Sequence, residues 1–230
     1  MKEPLFDLSD HYNEMLSRGL AVSGETKEFF LTGRLNALQC NLGNFTPKRI
    51  LDFGCGIGES TKELGKRFPS AQIIGLDTSE GSIAYAREYS PAPNVDYKLM
   101  DNLGQTEIGE FDLCYVNGVF HHIESEQRYE VLSYISRHLA PNGHLAFFEN
   151  NPWNPGAHLV MSRIEFDRNA NMLSISTARE LISKCQLIEQ RVMTLFYFPR
   201  ILGALRPFEK LLSRLPFGAQ YFILASKVNG

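Results

Sequence analysis

Residues 50–59 read Ile-Leu-Asp-Phe-Gly-Cys-Gly-Ile-Gly-Glu, a short apolar run that ends in three alternating glycines. Such a run followed by glycines predicts a buried strand that turns tightly into a helix. Backbone without Cβ atoms lets a ligand approach closely, and the start of the helix adds N–H groups and the positive end of a dipole. The segment therefore predicts a ligand-binding loop at the end of a strand.

Runs with strand character alternate with helical patterns from about residue 48 to residue 190. The other runs with strand character are 72–77, 95–100, 111–116, 144–149 and, as a closing strand, 219–225. Thr177 and Glu180 have the spacing of a capping box that begins a further helix. Strands that alternate with helices predict βαβ units, so we expect an α/β fold with a doubly wound, mainly parallel sheet in three layers.

Three regions lie outside this alternation. Residues 1–46 are interpreted as a helical N-terminal lid, and residues 47–230 as the main domain. Residues 150–176 contain two Asn-Pro turns and are interpreted as an inserted substrate-side loop. Residues 191–217 are basic and amphipathic, and we interpret them as a cover that packs on its own sheet. The alternative is contact with an anionic membrane or a lipid-linked substrate.

Composition limits the classes of partner. The chain has 230 residues, 43% of them hydrophobic and 21% charged, which is typical of a globular protein. A net charge of −3 does not favour binding to nucleic acid. Apolar runs fall short of the roughly 18–20 residues of a membrane span, so we expect a cytoplasmic protein without stable membrane insertion. Four widely spaced cysteines predict neither a metal site nor a disulfide framework, and no pattern indicates an oligomeric state.

A carboxylate on the next strand defines the ligand further. Asp77 follows Gly58 by 19 residues, where adjacent parallel strands place it beside the loop and in reach of ribose hydroxyls. No lysine follows the glycines as in a phosphate-binding loop. Glu59 stands three positions after Gly56, where a dinucleotide loop has Gly or Ala, and its charge opposes a pyrophosphate. With Asp52 as a second acid, the pattern favours a cationic ligand such as an aminoacyl sulfonium.

Five motifs in this order resemble those of the class I S-adenosylmethionine-dependent methyltransferases. They are the glycine loop, Asp77, residues 100–103 (Met-Asp-Asn-Leu), residues 111–123 and residues 139–145. Together they lie within residues 48–150, and five ordered motifs are far more specific than one glycine loop. The resemblance implies a Rossmann-like sheet of seven strands with an antiparallel last strand, and S-adenosyl-L-methionine as the cofactor.

The same resemblance implies a cofactor site. Its residues are Tyr12, Asp52, Phe53, Gly54, Cys55, Gly56, Gly58, Asp77, Thr78, Asp101, Asn102, Leu103, Asn117, Gly118 and His122. By this resemblance Asp77 binds the ribose, Asp101 the adenine amino group, and the backbone of Asn117 the aminoacyl part. Asp77 could instead cap the helix that begins near Glu80.

Some of these assignments have alternatives. Tyr12 is interpreted as a residue that closes the pocket; the alternative is that it is an exposed aromatic residue on a helix. Lys27 and Arg34 could pair with the cofactor carboxylate, with solvated surface charges as the alternative.

The residues that contact the methyl acceptor are predicted from the chemistry of their side chains. An in-line methyl transfer needs mainly alignment, and a general base only where the acceptor must lose a proton. His121, His122 and Glu149 are the candidates for that base. Trp153, His158 and Arg163, in the 149–168 loop, suit an oxygen-rich or acidic small molecule. The alternative is that Trp153 packs on its own loop and the arginines there pair with nearby acids.

The sequence hypothesis is methyl transfer to an O-, N- or C-nucleophile of a small-molecule acceptor. The 151–168 segment resembles a branch associated with glycan or other secondary metabolite biosynthesis. Two alternatives remain: a nicotinamide-dependent oxidoreductase on a similar sheet, against which Glu59 counts, and a cofactor-binding interaction subunit without turnover.

Overall fold

The glycine loop follows the first strand of a seven-stranded sheet in the computed structural model, which describes residues 19–100, 108–168 and 170–227. The strands are β1 (Arg49–Phe53), β2 (Gln72–Asp77), β3 (Val95–Leu99), β4 (Phe111–Asn117), β5 (Leu139–Asn150), β6 (Leu187–Leu195) and β7 (Gln220–Lys227). Their order is β3-β2-β1-β4-β5-β7-β6, and only β7 runs antiparallel to its neighbours. The predicted doubly wound sheet with an antiparallel last strand is therefore confirmed.

The order of the strands fixes where a ligand can bind. The chain winds outward from β1 in both directions, first to β2 and β3 and later to β4 and β5. Connections leave β1 and β4 toward opposite sides of the sheet, which opens a crevice at their carboxyl ends. The glycine loop follows β1, so it lies at this crevice.

Helices cover both faces of the sheet. They are α1 (Lys27–Leu42), α2 (Glu59–Arg67), α3 (Glu80–Tyr89), α4 (Arg128–Arg137), α5 (Pro155–Met161), α6 (Ile175–Lys184) and α7 (Glu209–Leu212). Leu38 of α1 packs in one buried cluster with Ile50, while Leu132 of α4 packs in another with Leu51. Neighbouring residues of β1 thus face opposite layers, as a strand buried on both faces requires. The division into a 1–46 lid and a 47–230 domain stays a prediction.

Several element boundaries differ from the prediction. Strand β5 begins at Leu139 rather than at residue 144, through a register shift against β4 and a positive φ of 62° at Asn142. Helix α6 begins earlier than the capping box indicates, because Ser174 is its N-cap and accepts from the backbone N–H of Thr177 at 3.1 Å. Strand β6 occupies the start of the 191–217 segment, which was predicted to be an amphipathic cover.

The rest of that segment also differs from expectation. Residues 200–217, here called the strap, form the 3-10 helix Arg200–Phe208, helix α7 and the turn that follows. Ile201 is 90% exposed and Leu211 is 78% exposed. The interpretation that the apolar side chains of the strap pack on the sheet is therefore wrong. Among the described residues, no helix is both long enough and apolar enough to cross a bilayer.

Candidate functional site

A cavity of about 840 Å³ opens at the carboxyl ends of β1, β2 and β4. Its volume lies within the range of about 300–1,000 Å³ that is typical of small-molecule sites. The residues predicted from the sequence that line it are Asp52, Phe53, Gly54, Cys55, Gly56, Asp77, Thr78, Asn117, Gly118, His121 and His122. The fold therefore brings most of the expected cofactor site together at one cavity.

The glycine loop is held by the end of the neighbouring strand. Gly54 N–H donates to the carbonyl of Leu76 at 2.8 Å, and the three loop glycines have φ values of 71°, 51° and 82°. A Cβ on Gly56 would stand in open space, whereas a Cβ on Gly58 would lie 2.6 Å from the hydroxyl of Tyr97. Gly56 therefore offers bare backbone to the cavity, while Gly58, which does not line it, is required for packing.

Asp77 organises the second side of the loop. Its Oδ2 accepts from Gly56 N–H at 2.8 Å, and its Oδ1 accepts from Ser79 N–H at 2.9 Å. Ser79, not Asp77, is the N-cap of α3, because its side chain accepts from Ser82 N–H at 3.1 Å. Each carboxylate oxygen has a further lone pair, so Asp77 can also accept hydroxyl groups from a ligand in the cavity.

Asp52 is a buried acid at the base of the cavity. Thr61 donates a hydrogen bond of 2.6 Å to its Oδ2. Burial raises the pKa of Asp52 to about 7, because the charged form loses its hydration, and the Thr61 hydrogen bond offsets only part of this effect. A cationic ligand group nearby would favour the ionised form.

Two polar atoms at the cavity wall match an amino-acid group. Arg34 Nε and Asn117 Oδ1 are buried and have no hydrogen-bond partner among the residues that the structure describes. Arg34 extends from α1, and its Nη1 donates to Gln220 Oε1 at 3.2 Å. Buried polar groups are normally satisfied, so both atoms indicate a missing polar ligand. A guanidinium suits a carboxylate, and an amide oxygen suits an ammonium group. These residues therefore fit the aminoacyl part of S-adenosylmethionine.

Lys27 is placed differently from Arg34. Its ammonium forms an ion pair with Glu59, the acid that follows the glycine loop, and both residues line the cavity. The pair neutralises much of the charge that Glu59 would otherwise present.

A cluster of histidines and carboxylates lies at the other end of the cavity. Nδ1 of His121 is 2.6 Å from Oε2 of Glu149, and Nε2 of His121 is 3.2 Å from Oδ1 of Asp167. The Nε2 of His122 is also 3.2 Å from that oxygen of Asp167. Glu149 is fully buried and does not line the cavity, and its second oxygen accepts from Phe120 N–H at 2.6 Å. Asp167 thus joins both histidines, a role that the sequence analysis missed.

The carboxylates determine the charge of this cluster. Burial alone lowers the pKa of His121, but Glu149 and Asp167 outweigh it and raise that pKa to about 10. For Asp167, burial raises the pKa, but the hydrogen bonds from both histidines outweigh it and lower the pKa below its usual value. His121 is therefore an imidazolium at neutral pH, and both of its N–H groups meet carboxylates.

The donor atoms of His121, His122 and Asp167 also have the spacing of metal ligands, as no other His, Cys, Asp or Glu group in the described part of the chain does. The sequence pattern predicts no metal site. Hydrogen bonding to a protonated His121 accounts for the arrangement without an ion, and the expectation stays a prediction.

The predicted acceptor residues are not at the cavity. Trp153 and Arg163 are exposed and do not line it, and the Nε2 of His158 contacts the carbonyl of Pro152 at 2.7 Å. The physical reason is the orientation of α5 and the turn after it. Residues at helical spacing, Ala157, Val160, Met161 and Ile164, face the cavity instead. The part of the cavity wall that these residues form is therefore apolar, where an acid-binding surface was expected.

Some site residues were missed or cannot be placed. Phe29, Phe30 and Phe196 line the cavity, with ring centroids 4.9–5.7 Å apart. The adjacent Phe29 and Phe30 at the start of a helix were the available signal. Tyr12, Asp101, Asn102 and Leu103 lie outside the described residues.

Comparisons with known proteins agree with this geometry. The sequence model of a family described as "Methyltransferase domain" matches residues 50–143. A trans-aconitate 2-methyltransferase of Methylobacterium nodulans is 35% identical over 118 residues, which are 51% of this chain and 44% of that protein. The chain spans less than half the length of the first curated relatives that it matches.

Solved structures share the fold. One is an S-adenosylmethionine-dependent methyltransferase from Mesorhizobium loti, with a TM-score of 0.63, 20% identity, and coverage of 86% of this chain and 100% of that chain. Another, from Archaeoglobus fulgidus, has a TM-score of 0.67 and 18% identity, and covers 90% of this chain and 97% of that chain. At such identities the likeness shows the fold alone.

Proposed function

We propose that this chain, whose residues 50–143 match the sequence model described as "Methyltransferase domain", is a class I S-adenosylmethionine-dependent methyltransferase and transfers a methyl group from that cofactor to a small-molecule acceptor. The observation that carries the proposal is that Asp52, Asp77 and the bare backbone of Gly56 line one cavity together with Arg34 and Asn117, whose Nε and Oδ1 atoms have no hydrogen-bond partner among the described residues. Carboxylates suit the cationic and hydroxyl groups of this cofactor, and Arg34 suits its carboxylate.

The residues around the loop bind and orient. Asp77 accepts hydrogen bonds from the ribose hydroxyls. Asp52 compensates the positive charge of the aminoacyl end, and Asn117 accepts a hydrogen bond from the ammonium group. When bound, S-adenosylmethionine supplies a methyl carbon that is activated by the sulfonium. The bond between this carbon and sulfur breaks as its bond to the acceptor forms. Holding the two reactants in line is the main contribution of the protein, and such proximity can be worth about 7–11 kcal/mol.

His122 is the proposed general base for an acceptor that must lose a proton. It lines the cavity, and Asp167 lies 3.2 Å from its Nε2, so the imidazolium formed by proton uptake is balanced by a carboxylate. His121 is already in its charged imidazolium form at neutral pH, and Glu149 is buried behind it. We therefore assign His121 and Glu149 as positioning residues that hold Asp167 and the 120–122 turn.

The acceptor is proposed to be a small molecule with an apolar portion. Val160, Met161 and Ile164 provide an apolar surface on its side of the cavity. The relatives named for trans-aconitate act on a tricarboxylate, but the matched family domain ends at residue 143, before this wall. Acceptor choice therefore rests on residues 154–167 of this chain, and a role in glycan or secondary metabolite biosynthesis stays a prediction.

Neither nucleic acid nor a membrane-inserted segment is part of the proposal, and cytoplasmic localisation stays a prediction. The oxidoreductase alternative has no specific observation in its favour, since the matches described above are to methyltransferases. The turnover assay below distinguishes the alternative of an interaction subunit without turnover from an enzyme.

Calorimetry with S-adenosylmethionine tests the cofactor site. Asp77→Ala should weaken binding at least about tenfold, as expected for loss of hydrogen bonds to a charged group. Asp96→Ala, which removes an exposed carboxylate of β3, is the matched control and should bind as the wild type does. Equal affinity of Asp77→Ala and wild type would contradict the site, and tighter binding of a nicotinamide dinucleotide would contradict the cofactor.

Turnover is tested with a panel of apolar and acidic acceptors, by release of S-adenosylhomocysteine. We expect methylation of acceptors with an apolar portion, lost in Asp77→Ala. A chelator should leave the rate unchanged, because no step of the proposal uses a metal. Binding without methylation of any acceptor would favour the interaction subunit.

A further inference from the structure

The strap, residues 200–217, concentrates the exposed apolar surface of the protein. Twelve large hydrophobic side chains are exposed in the described part of the chain, and seven of them lie in this segment. These seven are Ile201, Leu202, Leu205, Phe208, Leu211, Leu215 and Phe217. Soluble monomers rarely expose large contiguous apolar patches, and such patches usually mark an interaction site.

The strap also carries positive charge without internal compensation. It contains four basic residues and one acid, Glu209. The Oε1 of Glu209 accepts from the backbone N–H groups of Tyr197 and Phe198 at 3.1 and 3.0 Å. Arg206 pairs with Glu25. Within the described ranges, the other three basic residues are exposed and have no acidic partner; they are Arg200, Lys210 and Arg214.

The backbone of the strap is fixed near its C-terminal end. Thr194 N–H donates to the carbonyl of Ser213 at 2.8 Å, and Asn154 Nδ2 donates to the carbonyl of Phe217 at 2.6 Å. The guanidinium of Arg206 lies 4.3 Å from the centroid of the Phe29 ring. The apolar side chains are therefore presented by an anchored segment. Trp153, one residue before Asn154, adds a side chain that is 64% exposed beside this turn.

The strap borders the entrance of the proposed active site. Residues 196–199 line the cavity and lead directly into Arg200. Arg206 and Phe29 connect the strap to α1, whose residues line the same cavity. Whatever contacts the strap therefore lies next to the cavity.

We propose that the strap docks this protein on the surface of an anionic lipid bilayer. Apolar side chains interspersed with unpaired cations are the combination that interfacial segments use, because the former enter the acyl boundary and the latter meet anionic headgroups. Trp153 and the two phenylalanines fit the interfacial level of the bilayer. A two-fold contact between copies of this chain is disfavoured, since it would bring like charges of the strap together.

Co-sedimentation of the full chain with lipid vesicles tests the proposal. We expect affinity at least about tenfold higher for phosphatidylcholine vesicles with 30% phosphatidylglycerol than for pure phosphatidylcholine, and a decrease with salt. The double variant Ile201→Ser/Leu211→Ser should lose at least about tenfold in binding to the anionic vesicles. Ile188→Ser, which removes an exposed apolar side chain of β6 outside the strap, is the matched control and should bind as the wild type does.

The charge is tested separately. Lys210→Glu/Arg214→Glu should weaken anionic binding more than Lys48→Glu, an exposed lysine far from the strap in sequence. Circular dichroism and thermal unfolding of each variant confirm that it is folded. Equal binding of wild type and both double variants would overturn the proposal, as would absence of vesicle binding. A wild-type dimer that Ile201→Ser/Leu211→Ser makes monomeric would assign the strap to a second copy instead. None of these readouts requires methyl transfer, so the proposal can fail independently of the proposed function.

Discussion

Asp52 is the residue at which burial and the charge of the ligand act against each other. Burial raises its pKa to about 7, so the free protein holds a partly protonated acid at neutral pH. A bound cationic ligand favours ionised Asp52, which must therefore release its proton on binding below this pKa. We predict that the Kd for S-adenosylmethionine increases as pH decreases from 8 to 6, by at most about tenfold per unit.

Asp52→Asn separates this effect from the titration of the amino group of the ligand. The variant should bind more weakly at pH 8 and show a smaller change in Kd between pH 8 and pH 6. Calorimetry at both pH values measures the difference. The same pH dependence in variant and wild type would show that Asp52 is not the titrating group.

The residues near the glycine loop could be predicted from the sequence because their contacts are local or follow from strand pairing. Asp77 ends the strand beside the loop, so spacing alone places it at the cavity. Asp167 could not be predicted to join the histidines, since it lies 46 residues after His121 and no regular pairing connects them. Trp153 and Arg163 were assigned from residue chemistry, but the orientation of α5 was not available from the sequence.

The glycine loop is an element in which two glycines with similar backbone have different roles. Gly58→Ala places a Cβ 2.6 Å from the Tyr97 hydroxyl at a φ of 82°, so we predict a loss of stability of at least about 1–2 kcal/mol. Gly56→Ala has a similar unfavourable backbone conformation, but its Cβ stands in the open cavity. We therefore expect this variant to lose cofactor affinity as well as some stability. Urea unfolding and calorimetry on both variants measure the two effects. A larger stability loss in Gly56→Ala than in Gly58→Ala would contradict this assignment.

Helix α6 shows why element boundaries are harder to predict than elements. Ser174 and Thr177 both precede the buried residues Ala178 and Ile182 of the helix, and both residue types are favoured as caps. In the structure Ser174 is the cap. We predict that Ser174→Ala lowers the free energy of unfolding by about 1 kcal/mol and Thr177→Ala by less, measured by urea unfolding. The reverse order would support the capping box at Thr177.

Strand β6 was missed for a related reason. It is an edge strand, and four consecutive residues from Ile188 to Arg191 are exposed, so no alternation of apolar and polar residues marks it. Strand β6 forms because it pairs with β7, and this pairing joins two segments that are distant in sequence.

For the whole molecule, the two halves of the cavity have different origins. The cofactor half comes from β1, β2 and β4, whose loops carry the motifs that the sequence displays. The rest of the cavity wall comes from α1, which supplies Arg34, and from residues 154–167; these segments meet only in the tertiary structure. The cluster of Glu149, His121 and Asp167 joins β5 to the 154–167 segment, so its charge state should affect the stability of the entire fold.

Stability should therefore depend on pH through His121. Its pKa is about 6.5 when unfolded and about 10 when folded, so its contribution is fully present below pH 6.5 and is lost progressively as pH rises toward 10. We predict that the free energy of unfolding of the wild type, measured with urea, decreases from pH 6.5 to pH 8.5. His121→Gln should be less stable at pH 6.5, and its difference from the wild type should shrink at pH 8.5. His158→Gln, at an exposed site, should follow the wild type. A constant difference between His121→Gln and wild type across this range would show that the buried carboxylates do not hold His121 in its charged form.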